Sequence, residues 1–143
     1  MQVFEINSLK DYSSVFINFT SNVILLKGSM GTGKTTFVKE FLKFKFNLQE
    51  NELSEFGVMS PTFSIENHYS IKDQTVLHCD FYRVNEDDYD KEEFLESLED
   101  FDWVFIEWSE NLRLNEALTD KCIVEILKSD TEENSLNRKV AIS

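Results

Sequence analysis

The chain has only four glycines, and three of them, Gly28, Gly31 and Gly33, fall within six residues. Glycine permits positive φ and close approach of the backbone to a ligand, so this spacing marks one special loop. The segment reads GSMGTGKT from Gly28 to Thr35 and fits the pattern G-x-x-x-x-G-K-[ST], the Walker A phosphate loop. Its flanks have the order the pattern needs. Asn22 to Lys27 is a short apolar run with β-branched residues, read as a buried strand. Phe37 with Phe41, and Val38 with Leu42, repeat at i, i+4 as one face of a helix.

Phosphate chemistry follows from that order. The N–H groups of residues 31–36 (Gly31, Thr32, Gly33, Lys34, Thr35 and Thr36) point into one anion-binding concavity. The helix after them brings its positive N-terminal end to the same place. Lys34 sets a point charge on the β- and γ-phosphates, and the Thr35 hydroxyl is a ligand for Mg²⁺.

The remaining pattern predicts alternating elements. Val3–Ile6 reads as a strand, followed by a helix capped by Ser8 with Leu9, Tyr12, Val15, Phe16 and Phe19 at helical spacing. The polar stretch from Asn47 to Gly57 reads as a surface loop. Ser64–Ile71 and Thr75–Arg83 flank Lys72-Asp73-Gln74, a candidate hairpin turn. Trp103–Glu107 is a further strand, and Lys121–Lys128 with Leu136–Ile142 forms a closing pair in which Cys122, Val124 and Ile126 alternate inward. No repeat or linker interrupts the 143 residues, of which 41% are hydrophobic, enough for one core. The expectation is a single phosphate-loop ATPase domain over residues 1–143. Its fold class is α/β, a P-loop NTPase-like three-layer fold with a central, mostly parallel sheet and antiparallel edge strands.

Charge narrows the partners. The net charge is −13 with a pI near 4.5, which excludes strong independent binding to nucleic-acid backbones or an anionic membrane surface. The longest purely aliphatic run is Val23 to Leu26, far short of the roughly 20 residues of a spanning helix. No secretory signal is visible, and Cys79 and Cys122 make no CxxC pair, so both read as buried reduced thiols in a soluble, cytoplasmic protein. Ten acids and one lysine crowd Glu86 to Asp102. This window reads as a solvated acidic face around a helix that turns Phe94, Leu95 and Leu98 inward, with docking to a basic partner as its functional counterpart.

A nucleotide-bound Mg²⁺ needs a carboxylate at the end of a neighbouring strand. Val104-Phe105-Ile106-Glu107 supplies Glu107, and Val76-Leu77-His78-Cys79-Asp80 aims Asp80 at the same pocket. No glycine follows Gly57, which excludes a DxxG switch or an ABC-type signature beyond it, and no NKxD motif is present. Three arginines, Arg83, Arg113 and Arg138, are few for a small-molecule kinase. Trp108 and Tyr82 read as packing at a strand end, Arg83 as a structural ion pair with the acidic window, and His68 and His78 as non-catalytic.

The ordered blocks GSMGTGKTT (28–36), SPTF (60–63), HCDFYR (78–83) and FIEWSE (105–110) resemble the TsaE family, also called YjeE, small bacterial ATPases of tRNA threonylcarbamoyladenosine biosynthesis. Ser29 and the acidic stretch 96–102 depart from the family's pattern without touching phosphate or metal positions. The resemblance implies that residues Gly31 to Thr36 hold ATP or ADP and that Thr35 and Glu107 hold Mg²⁺. It implies that Thr62 senses the γ-phosphate or positions water, and that Asp80 orients the attacking water or the metal's water shell. It also implies TsaD and TsaB as protein partners, reset by ATP hydrolysis. The alternatives are a nucleotide-gated binding module that hydrolyses negligibly alone, and a small phosphate-loop kinase.

Overall fold

The computed structural model describes residues 1–58, 64–128 and 137–143. Seven strands form one sheet in the order β1-β7-β6-β2-β5-β4-β3. They are β1 (Gln2–Ile6), β2 (Val23–Lys27), β3 (Glu66–Ile71), β4 (Gln74–Asp80), β5 (Trp103–Glu107), β6 (Cys122–Lys128) and β7 (Arg138–Ile142). The four inner strands β6, β2, β5 and β4 run parallel, while β1, β7 and β3 pair antiparallel at the edges. This is the expected α/β arrangement of a mostly parallel sheet with antiparallel margins.

Parallel strands are buried on both faces and read as continuous apolar runs. In β2 the run divides between two cores. Ile24 and Leu26 pack with helices α1 (Tyr12–Phe16), α2 (Lys34–Phe46) and α3 (Glu50–Glu55) on one face. Val23 and Leu25 pack on the other face with α4 (Lys91–Ser97) and α5 (Leu114–Ala117). Helix α2 buries Phe37, Val38, Phe41, Leu42 and Phe46. Phe41 sits at the centre, its ring centroid 4.8 Å from that of Trp103 and 5.0 Å from that of Phe105.

Several expectations shift in detail. The N-terminal helix is short: a 3₁₀ turn at Leu9–Asp11 precedes α1. Ser8 is its N-cap, as expected, and Asp11 fastens the start, its Oδ2 accepting from the N–H groups of Asn7 and Ser8. Tyr12, Val15 and Phe16 are buried as their spacing implies, whereas Leu9 is exposed. The polar stretch 47–57 is not a loop throughout, for α3 lies inside it. Leu48 and Leu53 anchor the segment in the core, and the Gln49 N–H donates to Glu52 Oε1 at 2.9 Å to start the helix. With only one apolar residue inside six, α3 has no periodicity to read. The hairpin between β3 and β4 is tighter than expected: Lys72 and Asp73 alone turn it, at φ 46° and 69°, the positive angles of a two-residue type I′ turn. The closing pair is antiparallel, with Cys122, Val124 and Ile126 fully buried; Leu136 lies outside the described residues.

Phe94 and Leu98 are buried on the second core and Leu95 is partly covered, so α4 turns its apolar face inward. Glu92, Glu93, Glu96, Glu99 and Asp100 remain exposed. Glu86 of this window pairs with Arg113 Nε at 3.5 Å and lies 3.9 Å from Lys91 Nζ. Arg83, expected in that role, makes no ion pair among the described residues. Cys79 and Cys122 are free and buried, and burial pushes both thiols above their ordinary pKa, which keeps them protonated and unreactive. No helix among the described residues is long and apolar enough to cross a membrane.

Candidate nucleotide site

The loop between β2 and α2 leaves the sheet through three glycines at positive φ, and two of them are required by space or start the helix. Gly28 has φ 154°, and a Cβ there would lie 2.6 Å from Thr32 Oγ1 and 2.8 Å from the Ile126 carbonyl oxygen of β6. Gly33, at φ 102°, turns the chain into α2, and its carbonyl accepts the first helical bond from the Phe37 N–H at 2.8 Å. Thr32 braces the loop from beneath: its hydroxyl donates to the Ser29 carbonyl at 2.9 Å, and the residue is buried. From β7, Arg138 Nε donates to the Thr32 carbonyl at 2.8 Å. Both the side chain and the main chain of Thr32 thus serve the loop's shape, for its N–H also donates to the Ser29 carbonyl at 3.4 Å.

Beside the loop is a cavity of about 400 Å³ lined by Met30, Gly31, Gly33, Lys34, Thr35, Thr36, Asp80, Tyr82, Glu107 and Trp108. The parallel pairing of β4 with β5 sets Asp80 opposite Glu107 at the carboxyl ends of both strands. Asp80 is exposed, and its Oδ1 accepts from the Tyr82 N–H at 3.0 Å, which fixes the carboxylate at the strand's exit. The loop after it is held by Asn111, whose Nδ2 donates to the Phe81 carbonyl at 2.7 Å. Glu107 is buried, and its Oε2 lies 2.5 Å from His78 Nε2.

Lys34 is buried, and its ammonium donates to the Gly28 carbonyl at 2.6 Å while standing 4.4 Å from the centroid of the Trp108 ring. A cation over an indole face is attracted by the ring's quadrupole. Trp108 reaches that position from a left-handed backbone, φ 60° and ψ 41°, a strained setting for a bulky residue of the kind stored at functional sites. Tyr82 leans on the outer side of Trp108, centroids 4.9 Å apart, so both aromatics pack at the rim.

The cavity therefore gathers Gly31, Gly33, Lys34, Thr35, Thr36, Asp80 and Glu107 from separate stretches of sequence. Thr62, with the rest of the Ser-Pro-Thr block, lies outside the described residues. Sequence reasoning read His78 as non-catalytic, without its contact to Glu107, and passed over the Lys34–Trp108 contact. The signal for His78 was its i, i+2 spacing from Asp80, which puts both on one face of β4. Arg138 gave no such signal, because its partner is remote in sequence.

The donors fit Mg²⁺, a hard cation usually held by one or two protein oxygens together with phosphates. The Thr35 hydroxyl and the Glu107 carboxylate belong to residues that line the same cavity. Ser109 is a different case: its hydroxyl is buried and has no hydrogen-bond partner among the described residues. Ser109→Ala is expected to leave stability unchanged or raise it by up to about 1 kcal/mol, since an unpartnered buried hydroxyl contributes no bond. A urea titration showing clear destabilisation would refute this.

Comparison with known proteins identifies the family. The family model described as threonylcarbamoyl adenosine biosynthesis protein TsaE matches residues 6–140. The tRNA threonylcarbamoyladenosine biosynthesis protein TsaE of Aquifex aeolicus is 34% identical over 120 residues, covering 83% of this chain and 79% of that protein. Its counterpart in Rickettsia bellii is 34% identical over 93 residues, covering 65% of this chain and 60% of that protein, so the match spans about three fifths of the Rickettsia protein's length. Among solved structures, that of Bacillus subtilis YdiB aligns with a TM-score of 0.63 at 18% identity over 99% of this chain and 83% of that one, a likeness of fold. Phosphate loop, strand-end acids and a family match over nearly the whole length converge, and the chain belongs to the TsaE family.

Proposed function

We propose that this chain binds and hydrolyses ATP with Mg²⁺, and that it does so in tRNA threonylcarbamoyladenosine biosynthesis by acting on a TsaD–TsaB complex. The observation that carries the reading is the single cavity in which Lys34, Thr35, Asp80 and Glu107 meet the phosphate loop. Backbone N–H groups between Gly31 and Thr36 cradle the phosphates, while Thr32 holds the loop in shape. Lys34 turns from the Gly28 carbonyl toward the β- and γ-phosphates. Thr35 and Glu107 hold Mg²⁺, which when bound neutralises charge on the phosphate oxygens. Asp80 orients the attacking water, and the proposed role of Thr62 is to sense the γ-phosphate. A second cavity, about 230 Å³, shares Gly33 and Thr36 with the first and is lined also by Leu9, Tyr12 and Arg138. Its mixed apolar and cationic wall suits the nucleoside.

One feature favours a partner-dependent enzyme, and with it the reading of a nucleotide-gated module that is nearly inactive alone. Among the described residues that line the phosphate cavity, Lys34 is the only cation. Phosphoryl transfer commonly needs a second cation, whose arrival in trans is worth roughly 10³–10⁵ in rate. The test is phosphate release by the chain alone and with purified TsaD and TsaB. Turnover that rises in the complex supports an ATPase. Nucleotide binding with no turnover in either setting would leave the module reading.

The exposed acids of α4 and its flanks are the proposed steering face for these partners. Exposed charge is screened over about 8 Å at physiological salt, and steering acts mainly on association. Raising salt is expected to slow association more than it speeds dissociation, and Glu92→Lys with Glu93→Lys is expected to weaken the complex while sparing ATP affinity. Stopped-flow kinetics across a salt series checks this. An association rate indifferent to salt and to the double reversal would reduce the window to a solvated surface.

A further inference from the structure

We infer that His78 is a positioning residue for the divalent cation: its Nε2 holds Oε2 of Glu107 so that the carboxylate meets a cation bound beside the nucleotide's phosphates. The inference rests on the nucleotide and Mg²⁺ reading above. In the pairing of β4 with β5, Asp80 stands opposite Glu107 and His78 stands opposite Phe105. His78 and Glu107 are thus diagonal neighbours on one sheet face, within reach across the strand gap. Their side chains meet at 2.5 Å, with His78 only 9% and Glu107 5% exposed. A carboxylate this buried needs a partner for its lone pairs, and a carboxylate oxygen accepts, so Nε2 carries the proton.

Two observations separate this from a contact made only for stability. Glu107 lines the phosphate cavity and His78 does not, so the imidazole acts on the cavity only through the carboxylate. The contact also engages one named oxygen, Oε2, of a carboxylate that lines the same cavity as Thr35. Groups that hold a metal-binding side chain in place typically change metal affinity by about 10–100-fold when removed.

The experiment is calorimetric titration of ADP into the full chain across a Mg²⁺ series and in EDTA, with His78→Phe, His78→Asn and His78→Gln. His78→Phe removes the donor at similar volume, and the shorter His78→Asn does not reach Oε2, so either variant is informative if the other fails to fold. Both are expected to raise the Mg²⁺ needed for half-maximal enhancement of ADP binding by about 10-fold or more, while affinity in EDTA stays at the parent's value. His78→Gln, whose amide N–H occupies the place of Nε2, is expected to restore the parent's Mg²⁺ dependence. The inference is overturned if folded His78→Phe or His78→Asn keeps the parent's Mg²⁺ response, if affinity in EDTA falls in parallel, or if His78→Gln behaves like His78→Phe. A parent that binds no ADP, or binds it without regard to Mg²⁺, overturns the nucleotide reading itself, a failure visible before any variant is measured.

Discussion

Replacing Lys34 with alanine is expected to weaken ATP binding at least about 100-fold, or roughly 3 kcal/mol at about 1.4 kcal/mol per tenfold. The estimate comes from what the ammonium contributes. A hydrogen bond to a charged group is worth about 1.5–3 kcal/mol, and an ammonium has three donors to spread over two phosphates. Against this stands the loss of the bond to the Gly28 carbonyl and of the contact with the Trp108 ring, both of which a bound nucleotide must disturb. Phosphate oxygens carry formal charge and a carbonyl does not, so the exchange favours the nucleotide. Alanine is the best helix former, and Lys34 is the first residue of α2, so the fold should survive. Calorimetry with a melting curve checks both parts. Unchanged affinity in a folded variant would sink the phosphate-loop reading.

Asp80→Asn is expected to bind ATP nearly as the parent does while losing about 100-fold or more in turnover, the usual range for a positioned acid or base. Asp80 is exposed at the strand's exit and held by the Tyr82 N–H, so the amide keeps its shape and loses its charge. Glu107→Gln should behave differently, raising the Mg²⁺ requirement instead, because Glu107 is the buried acid. Single-turnover measurements in the TsaD–TsaB complex distinguish the two. If both variants hydrolyse ATP like the parent, neither acid has its proposed role.

The phosphate loop was legible in the sequence because its requirements are local. Backbone at positive φ needs glycine, and the cluster of 28, 31 and 33 declares itself without any tertiary contact. Glu107 was legible for a similar reason, as an acid ending an unbroken apolar strand. The rest of the site depends on which strands become neighbours. His78 acquires its role only when β4 lies beside β5, and read along its own strand it looks like an interruption. The Lys34–Trp108 contact depends on a left-handed residue that a sequence pattern would not place there. Arg138 reaches the Thr32 carbonyl only after β7 has joined β6. Helix α3 was hidden because two anchoring leucines, not a repeating stripe, hold it down.

The order of the strands also governs how this chain is made. Strand β2, which leads into the phosphate loop, lies between β5 and β6, its Val23 pairing with Val104 and its Ile24 with Cys122. A ribosome delivers β2 and the whole loop long before either neighbour exists. Until β5 and β6 emerge, the glycine loop hangs from an unpaired apolar strand, and ATP in the cell finds no folded cradle to stabilise. β1 waits longer still, since its partner β7 follows β6 in the chain. Closure of distant contacts slows folding, and domains tend to fold as units during synthesis. The nascent chain therefore gains its nucleotide site late and in one step, with the apolar run from Val23 to Leu26 as the segment most in need of shielding by chaperones meanwhile.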